Sequence, residues 1–153
     1  MIIVDVEDFE HENERVENSE IRIIWNGDRQ EEGIHARTIH LHPKQVGGAI
    51  LSLDKMIPEN EWLWAGTKWK EHINNSLVDC ISGVILQSSD PDKLCSQWEL
   101  ALGKERDSDT KLNISLDQSN ISFVEDLNSK VDGIYAFVIK ALITNASVSY
   151  THL

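Results

Sequence analysis

Twice along this chain an apolar strand signal runs into a helix signal and then into further strand signals, and that order limits the fold more than any single motif. In the first half "MIIVDVED" (Met1–Asp8) reads as a strand. "FEHENERVENSEIRI" follows it, with Phe9 and Val16 seven residues apart on one helical face and charge elsewhere. "IRIIW" (Ile21–Trp25) reads as a strand and "NGDRQEEG" as a turn-rich loop. "HARTIHLH" (His35–His42) and "GAILSLD" (Gly48–Asp54) are two further strands joined by "PKQVG". In the second half "CISGVILQS" (Cys80–Ser88) is a strand, and "SDPDKLCSQWELALG" is a well-marked helix. Ser89 or Asp90 caps it, Pro91 suits its first turn, Leu94, Trp98 and Ala101 or Leu102 form its apolar stripe, and Gly103 stops it. "KLNISLDQSNISFVED" gives two short strands, and "GIYAFVIKAL" (Gly133–Leu142) one more.

Between the halves, residues 55–77 are polar, contain Pro58 and Gly66, and carry Trp62, Trp64 and Trp69. They read as a linker that crosses a surface and anchors itself with indoles. The expected architecture is therefore α+β, with a first module over 1–54, a second over 78–147, mainly antiparallel sheet and one helix in each. The last six residues, "VSYTHL" (148–153), match the translation of a transposon-based sequencing adapter and read as a non-native tail.

The net charge of −12 is unevenly placed: residues 1–32 hold eleven acids against three arginines. Such a surface repels phosphate backbones and anionic headgroups, which argues against nucleic-acid and membrane partners. Most of the run reads as a solvated helix face. Cys80 and Cys95 form no CxxC pair and read as free thiols of a reducing compartment. The chain has no apolar run of membrane-spanning length and no signal-peptide layout at Met1, so the cytoplasm is the expected location. The N-x-[ST] triplets at Asn74, Asn113, Asn120 and Asn145 carry little meaning there.

"HLHPKQVGGAILSLD" resembles the "HPKDTGGVLVEL" segment of methylmalonyl-CoA epimerase-like and glyoxalase-like proteins of the vicinal oxygen chelate superfamily. "IIVDVEDFEHENERVENSEIRIIW" resembles that family's strand–Asp-Asp–helix–strand segment, and "ISGVILQSSDPDKLCSQWELALG" the opening of a second module. "EWLWAGTKW" resembles the Trp-rich linker of a two-module branch. The resemblance implies paired βαβββ modules, the glyoxalase/bleomycin resistance/dioxygenase fold, with sheets curled around a cleft. It also implies a chain incomplete at both ends, lacking a strand and helix ahead of "MIIVDV" and the last strands of the second module. A sheet so truncated leaves unpaired edges and a fragile chain.

Active relatives hold a divalent metal with His, Gln and Glu on cleft-facing strand positions, where it stabilises an enediolate. The resemblance puts Ser52 where the family carries Glu, Gly83 at or near its first His, and Met1 near another. "GIYAFVIKA" offers Tyr135 but no His or acid. No metal ligand and no cofactor are therefore expected. His40 and His42 are the only substitutes. Residues two apart in a strand share a face, so Thr38, His40 and His42 point one way, and Ile50 and Ser52 share one face of the next strand. His42 reads as a hairpin-end residue bonded to backbone, with His40 the cleft candidate. Gln87, two past Ile85, is a further polar candidate. Trp62 and Trp64 are candidates for a ligand wall, though their anchoring role has the stronger claim. The ligand-binding set is thus His40, Ser52, Gln87, Trp62 and Trp64.

The expected function is binding of a small organic molecule in a sheet-lined cleft, without the family's metal. The alternatives are a divalent-metal-dependent isomerase, lyase (lactoylglutathione lyase-like) or dioxygenase with ligands from absent segments, and a non-catalytic module of a longer protein. A homodimer is left open.

Overall fold

The computed structural model describes residues 1–128 and 131–142. The tail at 148–153 lies outside the described residues. The elements run β1 (Ile2–Asp5), α1 (Phe9–Glu17), β2 (Ile23–Glu31), β3 (Ile34–Leu41), α2 (Pro43–Val46) and β4 (Leu51–Ile57), then two short 3-10 turns. There follow β5 (Val78–Ser88), α3 (Pro91–Leu102), β6 (Asn113–Ser115), β7 (Asn120–Glu125) and β8 (Gly133–Ala141). They build two four-stranded mixed sheets, ordered β1-β4-β3-β2 and β6-β7-β5-β8. The α+β class follows. The pairs β1/β4 and β5/β7 are parallel, and the other pairs are antiparallel.

β1 lies parallel to β4, with Ile3 opposite Ser52 and Asp5 opposite Asp54. Residues 2–57 thus supply strand, helix and three strands in one sheet. The second half supplies strand, helix and two strands, and adds β8 on the other side of β5.

Two local expectations fail. "NGDRQE" is strand, not loop: β2 pairs with β3 from Ile23↔Leu41 to Glu31↔Ile34. Its polar side chains misled because β2 is an edge strand, largely exposed, where apolar alternation is not required. The hairpin turn falls instead at Glu32 and Gly33, both at positive φ. In addition β4 does not stop at Asp54 but runs to Ile57, so the crossing segment starts three residues late.

The helices α1 and α3 are built as their sequences require. Asp8 caps α1, its Oδ1 accepting from the His11 amide at 3.0 Å, and Asp90 caps α3 by accepting from the Lys93 amide at 3.1 Å. Gly103 ends α3 at φ 63°, in the left-handed region. Each helix buries its apolar stripe, Phe9 and Val16 from α1 and Leu94, Trp98, Ala101 and Leu102 from α3. These join Ile39, Leu41, Leu51 and Leu53 of the first sheet and Val84, Leu86, Ile121 and Phe123 of the second in one core.

Polar links lock the halves together. Arg15 of α1 donates to the carbonyls of Leu100 (3.0 Å) and Ala101 (2.7 Å), satisfying the open C-terminal end of α3. Trp98 donates its indole N–H to the Gly47 carbonyl at 3.1 Å. A Cβ on Gly47 would stand 2.6 Å from Leu94 Cδ1, and the residue has φ +80°, so only glycine lets this corner approach α3. The "HPKQVGG" stretch is thus a docking corner between the halves. Within it, His42 caps α2, its Nδ1 accepting from the Lys44 amide at 3.3 Å.

Candidate functional site

Because Ile39, Leu41, Leu51 and Leu53 face the core, the alternate residues of β3 and β4 face the other way. The observed register sets them in rows across the sheet. Trp25 pairs with His40, His40 with Ser52, and Ser52 with Ile3. The next row is Gly27, Thr38, Asp54 and Asp5. Beyond it lie Ala36 and Met56, packed with Ile34 and Leu63 in a small apolar cluster that Trp62 and Trp64 border.

Three polar residues of this face are buried: Thr38, Ser52 and Asp54. The hydroxyls of Thr38 and Ser52 stand 2.8 Å apart and both donate to Asp54 Oδ1, at 2.7 and 2.5 Å. Trp64 donates its indole N–H to Asp54 Oδ2 at 2.6 Å. The carboxylate therefore has three neutral donors and, among the described residues, no ion-pair partner. A buried carboxylate persists only where hydrogen bonds replace its lost hydration, which is what the hydroxyls and the indole do.

Trp25 roofs the same patch from the β2 side. Its ring lies over Gly27, where a Cβ would come within 2.4 Å of it. That ring also stacks on His40 with centroids 4.6 Å apart, tilted by 43°. The indole is about half exposed, at 49%. Burial lowers the His40 pKa from its usual value, and the Asp54 carboxylate offsets part of that shift. The imidazole is accordingly neutral at neutral pH and can accept a hydrogen bond or a proton.

Of the expected ligand-binding residues, His40 and Ser52 are register partners on this face, and Trp64 bonds to the carboxylate beneath it. Trp62 borders the adjoining apolar cluster. Gln87 stands on the second sheet, opposite Val124 and Gly133, apart from this group. Sequence reasoning missed Asp54 and Trp25. Asp54 was within reach: the alternation that links Ile50 and Ser52 continues to it. Trp25 needed the β2–β3 register, which is shifted by an irregularity between Ile23 and Trp25.

The donor set does not fit a divalent cation. Asp54 is one carboxylate with both oxygens already accepting hydrogen bonds, and Ser52 offers only a hydroxyl. Among the described residues no three His, Cys, Asp or Glu side chains converge as metal ligands.

Open grooves lie elsewhere. One of about 640 Å³ runs between the β1–α1 connection and the β6–β7 turn, lined by Asp5, Glu7, His11, Lys104 and Asp117 among others. Another, of about 580 Å³, lies on the second sheet beside Asn113, Asn120 and Ser122. No helix among the described residues is long and apolar enough to cross a membrane.

The fold and this roofed polar face define an α+β protein with two mixed four-stranded sheets. A crystal structure described as a hypothetical protein from Staphylococcus aureus is similar to it, with a TM-score of 0.65 at 12% sequence identity. The alignment covers 99% of this chain and 60% of that one. No family model matches the chain, and no curated protein matches it.

Proposed function

We propose that this chain is a glyoxalase-like domain of the vicinal oxygen chelate superfamily that binds a small organic molecule on the outer face of its first sheet, without a metal. The observation that carries the proposal is the Thr38–Ser52–Asp54 network, buried on the face away from the core and roofed by Trp64 and Trp25. A sheet face with no binding role would ordinarily carry solvated polar residues or a plain apolar contact, not a carboxylate with a dedicated hydrogen-bond shell. The family reading draws further support from residues 2–57, which supply strand, helix and three strands in one sheet, the βαβββ run of elements that the resemblance implies.

Titration with a panel of small carbonyl, hydroxyl and amine compounds, followed by indole fluorescence, tests the proposal. Saturable changes that Ser52→Ala or His40→Ala weaken are expected. The competing reading is a divalent-metal-dependent isomerase, lyase or dioxygenase. It calls for stoichiometric metal in the purified protein, with loss in His40→Ala, and that result would replace ours.

A further inference from the structure

The apolar face of the second sheet runs on past the helix that covers it. Val84 and Leu86 of β5 meet α3 in the core. Directly paired residues of neighbouring strands share a sheet face, and Phe137 of β8 pairs with Val84. Phe137 is nevertheless 52% exposed. Ile139, two residues on, points the same way and pairs with Ile81, and these two are 40% and 64% exposed. Val78 and Ala141 pair at the end of the row. None of these side chains is charged. Lys140 points to the other face and is held by Asp79 at 2.8 Å. β8 is an edge strand, and β7 pairs with β5 only from Gly83 onward, so residues 78–81 and 139–141 form a two-stranded ribbon beyond the core. Such a ribbon is marginal in water unless a further layer packs on it. With Ile81 and Phe137 more than half exposed, no described element supplies that layer.

We infer that a second copy of this chain supplies it. Two copies pack these ribbon faces together about a two-fold axis that passes near the Ile81–Ile139 pair, the middle of the row. Charge selects this occupant. The chain carries −12, and its eleven acids in residues 1–32 lie on and around β1, α1 and β2, in the other half. Two copies repel each other wherever those acids approach. The ribbon face is where contact brings no like charges together, and it offers no polar group by which a charged partner would be recognised. Homodimer interfaces are the more apolar class, and a two-fold contact needs only one self-complementary patch and closes after two copies. With the tip residues Leu77 and Leu142, which are 60% and 52% exposed, the ribbon presents on the order of 500 Å² per copy, about 1,000 Å² in the pair, the lower limit for a specific interface. The dimer is therefore weak, with a dissociation constant in the micromolar range. It leaves the outer face of the first sheet open and is independent of the ligand-binding proposal.

Sedimentation velocity of the full chain between about 1 and about 200 μM tests the inference. A reversible monomer–dimer equilibrium is expected. Raising the ionic strength from about 0.01 to about 0.15 M should strengthen it, because screening weakens the repulsion between two acidic copies. Ile139→Lys and Ile139→Glu should each weaken dimerisation at least about tenfold with circular dichroism unchanged, since each puts a charge into an apolar contact. Ile81→Lys, at the most exposed position of the row, should do the same. Mixed in equal amounts, the Ile139→Lys and Ile139→Glu proteins should associate again, because the axis sets residue 139 of one copy beside that of the other. Leu100→Lys, at an exposed site on α3, should leave dimerisation as it is. A chain that stays monomeric up to about 200 μM would overturn the inference, and the ribbon would then fit a further segment of a longer chain or a different protein. Association that survives the Ile139 and Ile81 variants, or that Leu100→Lys weakens equally, would overturn it too, as would dimers that mixing fails to restore.

Discussion

The two sheets share a core and differ on the faces turned away from it. The first sheet buries a carboxylate and two hydroxyls there, beneath two indoles. The second sheet carries Gly83, Ile85 and Gln87 of β5 beside Asn120, Ser122 and Val124 of β7, with no buried charge among them. Its polar groups bond locally: Ser122 donates to Asn113 Oδ1 at 2.8 Å, and Asn113 donates to the Asp107 carboxylate at 2.5 Å. Similar strand–helix–strand runs therefore feed one core while the faces turned away from it differ in their buried polar groups. Core packing specifies only alternate residues of each strand, so the other half of each sheet is free to diverge.

The shared core carries the largest expected effect. Trp98 is fully buried, meets Phe123 edge-on at 6.3 Å between centroids, and bonds to Gly47 in the other half. Trp98→Ala should cost about 3–5 kcal/mol. Urea unfolding followed by near- and far-ultraviolet circular dichroism should show one transition moved to lower denaturant. Two separated transitions in the parent protein would mean that the sheets fold independently, and the comparison would then be between two domains.

Next in size is the contrast between the outer faces themselves. Asp54→Ala leaves the Thr38 and Ser52 hydroxyls and the Trp64 indole without their acceptor, which should cost about 1–3 kcal/mol. Ser122→Ala on the second sheet removes a hydroxyl at a less buried site and should stay within about 0.5 kcal/mol. Equal losses in chemical denaturation would remove the distinction drawn between the two faces.

The same exchange at two glycines separates the faces in another way. A Cβ at Gly83 would stand 2.8 Å from the backbone oxygen of Asn120 and 2.4 Å from its side-chain oxygen. The backbone cannot yield cheaply, so Gly83→Ala should cost about 1–3 kcal/mol, as overpacking does. A Cβ at Gly27 meets the Trp25 ring most closely, at 2.4 Å, a ring that can swing outward, and also comes within 2.9 Å of Thr38 Cγ2. Gly27→Ala should therefore cost less stability and should red-shift the indole emission as Trp25 gains water. A Gly27→Ala protein with unchanged fluorescence would show that Trp25 does not roof the site.

How far the amino-acid pattern revealed all this depended on burial. The α3 boundaries and the strands at β5, β7 and β8 were readable, because caps and apolar runs are local signals. β2 was cut short since an edge strand with two wet faces has no hydrophobic period to detect. At the site, His40 and Ser52 could be placed on one face from alternation alone. Their pairing, the arrival of Trp64 from seven residues beyond the adjacent β4, and the Trp25 stack all depend on register and on the path of the crossing segment. Asp54 was missed for a narrower reason. With the strand ended at Asp54, Asp54 was its last residue, whereas three more strand residues set it within the face.

The smallest expected effect is on the pH dependence of stability, and it concerns His40 alone. Its folded-state pKa lies below the usual histidine value, chiefly because burial disfavours the imidazolium. The unfolded chain therefore takes up a proton first as pH falls. Above the unfolded value, about 6.5, His40 is neutral in both states and contributes no slope. As pH falls below it, stability declines until the folded-state pKa is reached, where the decline from this residue ends. His40→Gln should flatten that part of the profile just below the unfolded value, measured as the difference in denaturation midpoint from the parent protein. The opposite sign, a parent protein that gains stability from His40 on acidification, would mean that the Asp54 carboxylate outweighs burial.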